Sequence, residues 1–262
     1  MKIATWNING IKARLPVLLQ WLKEANPDVC CLQEIKSVDE NFPAGAIEDL
    51  GYNVITHGQK GFNGVAILSK FPVDDIMRGL PGNDEDVQAR YLEAVIPYGE
   101  RVVRVASIYL PNGNPVDTDK YPYKLGWMDR LTAHAKNLLL LEEPLVLAGD
   151  YNIIPQAEDA KKPENWLNDA LYLPQSRAKF RELVNLGFTD ALRVFEAGHD
   201  VYTFWDYQAG AWQRGNGIRI DHMLLSPQAS DVLSNCRVDK YVRGWEKPSD
   251  HVPVVMEIMP AD

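Results

Sequence analysis

With 262 residues, 46% of them hydrophobic, the chain can bury a core of single-domain size. No Ser/Gly-rich, Pro-rich or single-charge linker divides it, so residues 1–262 are expected to form one domain. A formal charge of −9 argues against a protein that coats nucleic acid non-specifically, though a carboxylate-rich metal site would itself supply several of those charges. The first residues lack the apolar core of a signal peptide, and no stretch approaches the length of a membrane span. The expectation is a soluble, cytoplasmic monomer with no membrane contact. Three cysteines, two of them adjacent at Cys30 and Cys31 in an apolar run, suit buried thiols in a reducing compartment better than disulfides.

Ile3, Thr5 and Asn7 alternate with Ala4, Trp6 and Ile8, which predicts a first strand whose one face turns from apolar to polar at Asn7. Leu15, Leu18, Leu19 and Leu22 then fall at helical spacing, with Pro16 in the first turn and Asn26-Pro27 at the close. Asp28 to Glu34 reads as a second buried strand ending in an acid, parallel to the first because a crossover helix separates them. Tyr52 to Thr56 with Gly64 to Ser69, and Tyr91 to Ile96 with Arg101 to Tyr109, read as antiparallel pairs, so the sheets are mixed. The second pair ends at Tyr109 in the Pro/Gly loop Leu110 to Pro115.

A long helix over Tyr121 to Glu143 is expected to bury Leu125, Met128, Leu131, Ala135, Leu138 and Leu139. It delivers the chain to Leu145-Val146-Leu147-Ala148-Gly149-Asp150-Tyr151-Asn152. This is a buried strand whose period of two projects Asp150 and Asn152 together at its carboxyl end, where ligands of open α/β sheets bind. Beyond an irregular segment from Lys161, Ser176 is placed to cap a helix carrying Phe180, Leu183 and Val184 that ends at Gly187. Tyr202 to Tyr207, followed by Trp212, Arg214 and Arg219, mixes flat side chains with cations. That pattern fits either a hairpin burying its aromatics or a surface on which nucleic acid stacks. Ile218 to Ser226 reads as a strand carrying Asp221, and Asp250-His251 precedes the last strand.

Asn7, Glu34, Tyr109, Asp150, Asn152, Asp221, Asp250 and His251 come from six separate segments, and most close a predicted strand. Convergence is the economical explanation. Carboxylates with amide oxygens and no cysteine suit a hard cation such as Mg²⁺ or Mn²⁺, and the five histidines show no zinc-ligand spacing.

Trp6-Asn7-Ile8-Asn9-Gly10, Leu32-Gln33-Glu34-Ile35-Lys36, Tyr109-Leu110-Pro111-Asn112, Gly149-Asp150-Tyr151-Asn152, Arg219-Ile220-Asp221 and Ser249-Asp250-His251 together resemble the exonuclease III branch of the endonuclease/exonuclease/phosphatase superfamily. The match runs from Lys2 to Met259. The resemblance implies a four-layer α/β sandwich with two mixed β-sheets packed face to face between helices. It also implies a DNA-repair nuclease that uses Mg²⁺, with Mn²⁺ as a substitute, to cut duplex DNA 5′ to abasic sites and to remove nucleotides from 3′ ends.

By the same resemblance Glu34 is the main metal ligand, with Asn7 and Asp250 close to the cation. Asp150 orients or deprotonates the attacking water with Asn152 in support, both within reach of the metal. His251, paired with Asp221, contacts the scissile phosphate, and Tyr109 stands beside it. Lys36, Asn112, Phe204, Trp205, Trp212, Arg214, Ile218 and Arg219 are the implied substrate contacts, with Phe204 to Trp212 the region that receives the baseless sugar. Two residues depart from the pattern. Ile218 stands where some members carry Trp, which changes the shape expected of the abasic pocket, and His222 after Asp221 is expected to affect packing alone.

Two other readings compete. One is a phosphodiesterase for another phosphate ester on the same fold, which the Trp/Arg loop and the absence of membrane-binding segments disfavour. The other is a catalytically silent nucleic-acid-binding regulator, which the intact catalytic set disfavours.

Overall fold

A computed structural model describes residues 1–259. Along the chain come β1 (Lys2–Asn7), α1 (Ile11–Ala25), β2 (Val29–Gln33), α2 (Ala44–Glu48), β3 (Asn53–His57), β4 (Val65–Ser69) and β5 (Asp74–Arg78). Next are β6 (Tyr91–Tyr98), β7 (Arg101–Tyr109), α3 (Lys120–Leu139), β8 (Leu145–Asp150) and α4 (Pro174–Val184). The chain finishes with β9 (Thr189–Asp190), α5 (Ala191–Phe195), β10 (Asp221–Leu225), α6 (Pro227–Ser230), β11 (Leu233–Val238) and β12 (Val254–Ile258).

Two six-stranded sheets result, ordered β11-β12-β1-β2-β4-β3 and β5-β6-β7-β8-β10-β9. Both are mixed: β1–β2 and β7–β8 are parallel, and their other neighbours run antiparallel. The central strands β2 and β8 are buried at every position because each is covered on both faces. Ile3, Cys31, Ile67, Val105, Val146 and Met223 meet in the space between the sheets. Ala4, Trp6, Cys30 and Leu32 pack outward on Leu18, Trp21 and Leu22 of α1. Ile108, Leu147 and Leu224 pack outward on Trp127 and Leu131 of α3 and Phe180 of α4. The architecture is therefore the expected four-layer α/β sandwich. Each fully buried Leu or Ile in these layers contributes ~1.5–3 kcal/mol. No helix among the described residues is long and apolar enough to cross a membrane.

The structure changes several details of the sequence reading. α1 begins at Ile11, so Pro16 falls in its second turn, and the face it buries is Ile11, Val17, Leu18, Trp21 and Leu22. Asn26 ends it in the left-handed conformation, φ 50°. α4 begins at Pro174, which places Ser176 inside the helix, where its hydroxyl donates to Ala170 O at 2.6 Å instead of capping. β5 and β11, both on sheet edges, were not read from the sequence: β5 is exposed along its length and only Cys236 of β11 is fully buried. Exposed throughout, β5 carries Asp74, Asp75 and Arg78, charges that keep an edge from pairing with another chain.

Candidate active site

Strands of both sheets end facing one another, and each ends in a polar group. Asn9, Glu34, Lys36 and Asn152, just past the strands β1, β2 and β8, all take positive φ, at 47°, 49°, 52° and 47°. Such sharp turns at non-glycine residues are sparsely populated and persist only where the surroundings hold them. Gly149 meets a different demand. A Cβ there would lie 1.9 Å from Ile108 O, so only glycine lets β8 lie against β7 immediately before Asp150.

Asn7 joins the two sheets: its Nδ2 donates to Glu34 Oε1 and to Asp150 Oδ2, each at 2.9 Å. Asp150 Oδ1 accepts the Asn152 N–H at 2.9 Å. Across the β8–β10 ladder Asp221 stands opposite Asp150. His251 lies between them, with Nδ1 2.8 Å from Asp221 Oδ2 and Nε2 3.7 Å from Asp150 Oδ2. Ser249 fastens this last loop to β1, since its hydroxyl donates to Asn7 O at 2.7 Å and accepts the His251 N–H at 3.2 Å.

Glu34, Asp150 and His251 each offer one ligand atom, all within 4.8 Å of one another. Because His251 Nδ1 is engaged with Asp221, the two carboxylates are the groups suited to a hard divalent cation. Asn7 turns its amide nitrogen to them, while its Oδ1 accepts the Asn9 N–H at 3.0 Å. Asp250 lies outside that cluster, its Oδ1 accepting from Asn9 Nδ2 at 3.0 Å and from Ser249 Oγ at 3.3 Å. The structure thus brings Glu34 and Asp150 together, places Asn152 beside them, bonds Asn7 to both carboxylates and bonds Asp250 to Asn9 and Ser249. Lys36 Nζ lies 2.9 Å from Glu34 Oε2.

Electrostatics divides the carboxylates. Burial works against ionising Glu34, but the Lys36 ammonium and the hydrogen bond from Asn7 outweigh it and hold the carboxyl below its ordinary value. Asp150 is raised, by burial first, with His251 opposing and Asp221 adding to the rise. Burial also opposes a charge on His251, yet Asp221 and Asp150 prevail and favour the imidazolium. Burial, then the charges of Glu34 and Asp150, push the Tyr109 phenol up, so it stays a hydroxyl donor. The result is one firm carboxylate, one carboxylate that takes a proton readily, and one protonated donor.

The model of the endonuclease/exonuclease/phosphatase family matches residues 4–251. The chain belongs to that family. It is 34% identical over 265 residues to the exodeoxyribonuclease III of Haemophilus influenzae, covering 98% of this chain and 99% of that protein. An AP endonuclease from Archaeoglobus fulgidus shares the fold with a TM-score of 0.92 at 36% identity, over 98% of this chain and 99% of that one. A 3′ phosphatase from Neisseria, solved with a product DNA hairpin, gives 0.93 at 37% identity over 99% of both chains.

In this member of the endonuclease/exonuclease/phosphatase family the anticipated substrate contacts divide. Phe204 sets its ring 4.9 Å from that of His251 and packs with Ile218, Ile220, Leu171, Tyr172 and Trp166. Ile218 is itself buried, its backbone bridging Phe204 and Ala160. Trp205 and Trp212 belong to another cluster with Tyr202 and Val252, the two indoles meeting edge to face at 5.0 Å. Trp205 is corrected from substrate contact to core: it has no exposed surface, and Gly217 passes so close that a Cβ would lie 2.5 Å from its Nε1. Trp212 lies under the cations of Lys240 and Arg243, each 5.8 Å from its ring centroid, in a cluster separate from that of Phe204.

Arg219 is likewise corrected. It is 1% exposed, and its guanidinium donates to Asp159 Oδ1 at 2.6 Å, Asp190 Oδ2 at 2.7 Å and His222 Nδ1 at 3.0 Å, so it is buried in an internal network out of a substrate's reach. Arg214 is exposed and donates to Ala209 O of its own loop. Asn112 donates Nδ2 to Asn152 Oδ1 at 3.2 Å, at the edge of the catalytic cluster.

Asn9, read in the sequence only as part of the first motif, donates to Asp250 Oδ1 at 3.0 Å. Three further residues escaped the sequence reading. Trp166 was an aromatic in a segment without periodicity. Arg90 stacks 4.9 Å from the Tyr109 ring centroid, a partner 19 residues away that spacing could not indicate. Lys124 stands among Trp127, Met128, Leu131, Ala135 and Leu138 on the buried stripe of α3, and a lysine on an apolar face was the available signal.

Proposed function

We propose that the protein is a Mg²⁺-dependent DNA-repair nuclease, with Mn²⁺ as a substitute, that cleaves the phosphodiester 5′ to abasic sites in duplex DNA and removes nucleotides from 3′ ends. The observation that carries it is the Glu34–Asp150–His251 cluster, in which groups of opposite proton preference face one space at the rim of both sheets. A divalent cation held by Glu34 and Asp150, the hard oxygen donors of that cluster, would stabilise charge on the phosphoryl oxygens. Asp150, made basic by burial and steadied by Asn7 and Asn152, orients the attacking water and takes its proton. His251, held as an imidazolium by Asp221, donates through Nε2 to a non-bridging phosphate oxygen. Tyr109 and Asn152 supply further polar contacts to that phosphate.

The apolar cluster of Phe204, Trp166, Leu171 and Ile218 beside His251 suits a sugar that has lost its base, because such a sugar leaves the stack at little cost. Lys36, Arg90, Asn112 and Arg214 are the polar groups left for the duplex. The similarity to an exodeoxyribonuclease, an AP endonuclease and a 3′ phosphatase supports DNA phosphate esters over other substrates. The protein acts as a monomer, and in the cytoplasm, a compartment that the buried free thiols of Cys30, Cys31 and Cys236 suit.

The test presents the purified protein with a duplex carrying one abasic analogue, in Mg²⁺ and in chelator, beside the same duplex bearing a 3′ phosphate or an intact recessed 3′ end. Cleavage 5′ to the analogue in Mg²⁺ alone, leaving a 3′ hydroxyl, is expected. An intact abasic strand in Mg²⁺, or cutting that survives the chelator, overturns the reading.

A further inference from the structure

Two loops carry the groups nearest the reacting phosphate, one leaving β7 at Tyr109 and the other leaving β8 at Asp150. They are laced together: Leu110 N donates to Asp150 O at 2.9 Å, Asn152 Nδ2 to Leu110 O at 2.9 Å, and Asn112 Nδ2 to Asn152 Oδ1 at 3.2 Å. Beneath the lacing lies Lys124 of α3, with no exposed surface. Its ammonium donates to Asn152 O at 2.6 Å and to Asn112 O at 3.0 Å, one carbonyl from each loop.

A lysine is seldom buried without a carboxylate against it, and this one has none within salt-bridge distance among the described residues. Burial pulls its pKa down to about 7, with Asp150 and Asp169 opposing. Two backbone carbonyls are its hydrogen-bond acceptors. The chain also makes room for it. Gly113, the residue after Asn112, has φ 90°, and a Cβ there would lie 2.6 Å from Lys124 Cδ and 3.1 Å from Ala170 Cβ. Glycine is required so that the loop can close over the lysine.

We propose that Lys124 is a positioning residue for phosphodiester cleavage, fixing the Asn112 and Asn152 carbonyls so that both asparagine side chains meet the phosphate in register while the Asn152 N–H holds Asp150. The inference rests on the nuclease reading above. It differs from a packing role in what it demands, since hydrophobic volume at this position would fill the space but leave both carbonyls unpaired and the loops free to separate. A misplacement of about 1 Å at a reacting centre can cost ~10²-fold in rate.

The experiment compares Lys124→Met, Lys124→Gln and Lys124→Arg by kcat and KM on the abasic duplex in Mg²⁺, and by hydrogen exchange of the Leu110 and Asn152 amides in the free protein. For Lys124→Met the expected result is a kcat lower by ~10²-fold with KM within about threefold, and exchange at least ~10-fold faster at those two amides while the other β8 amides are unchanged. Lys124→Gln, which can reach one carbonyl, should lose ~10-fold in kcat and speed exchange on one side of the lacing. Lys124→Arg, which keeps two donors, should recover most of the methionine variant's loss. Wild-type kcat and wild-type exchange in the glutamine variant overturn the proposal, whether or not the methionine variant folds. So does a loss confined to KM. If the wild-type protein cuts no duplex, the nuclease reading fails, and the exchange data alone then decide whether Lys124 holds the two loops.

Discussion

The two ends of the space between the sheets are built from the same strands and do opposite things. Reading inward-facing positions two at a time, β1 runs Ile3, Thr5, Asn7, β2 runs Val29, Cys31, Gln33, and β8 runs Val146, Ala148, Asp150. β7 runs Val103, Val105, Ser107, Tyr109, and β10, entering from the other side, runs Leu225, Met223, Asp221. One end is apolar but for Ser69, whose hydroxyl donates to Phe71 O at 2.9 Å. In these five strands the change falls within two residues of the same level, where Gln33 Nε2 donates to Thr5 Oγ1 and Ser107 Oγ at 3.0 Å each, and Ser107 Oγ donates to Leu32 O at 3.0 Å. Those bonds satisfy the buried polar atoms at the boundary, so the apolar end serves as a rigid floor and the polar end can keep groups that do not stabilise the fold. Stability and chemistry are thereby assigned to different ends.

Asp150→Asn tests that division most severely. It keeps the shape but removes the charge that orients or deprotonates water, so kcat should fall by ~10³-fold while duplex binding persists. Because burial already disfavours the charged form of Asp150, the midpoint of urea unfolding should move by no more than about 1 kcal/mol equivalent. A variant that is active but markedly less stable would mean that the polar end holds the fold. Ile67→Ala, at the apolar end, should behave inversely. Ile67 is wholly buried, so truncation should cost ~2–5 kcal/mol. The folded fraction should still turn over at the wild-type rate. Urea titration beside kcat at about 25 °C separates the two outcomes, and a kcat that falls with stability would show that the floor is not rigid.

Much of this division could be read from the sequence because a strand buried on both faces leaves a continuous apolar run, and the polar residue that ends the run stands out. Glu34, Asp150 and Asp221 were visible on that ground. What escaped notice depended on partners far along the chain. Arg219 looked like a cation for phosphate, yet Asp159 and Asp190, 60 and 29 residues away, claim it. Trp205 looked like a stacking surface until Gly217 was seen to lie across its indole. The edge strands β5 and β11 left no trace, since β5 buries none of its residues and β11 fully buries only Cys236, whereas the edge strand β3 packs Ile55 into the core and was visible.

The smallest effect expected concerns β10, whose adjacent residues Asp221 and His222 face opposite sides of the second sheet. Inward, Asp221 favours a proton on His251. Outward, His222 packs against Tyr151 and Phe180, its Nδ1 accepts from Arg219 Nη1 at 3.0 Å, and its Nε2–H donates to Ile153 O at 3.0 Å. That arrangement admits only the neutral ring. Burial first, then the Arg219 charge, lowers the His222 pKa from 6.5 to about 4. Below 6.5 the unfolded chain takes up a proton that the folded chain refuses until about pH 4, so His222 makes stability fall as pH falls through that window and is without effect above it. His222→Gln keeps a donor and an acceptor without the titration. Its kcat near neutral pH should stay within about twofold of wild type, and its unfolding midpoint should decline less between about pH 6.5 and pH 4.5, by up to ~1.4 kcal/mol per pH unit. Parallel urea midpoints for the two proteins across that range would show that His222 is not held neutral. The opposite protonation of two buried histidines on either side of one sheet would then have no basis in their neighbours' charges.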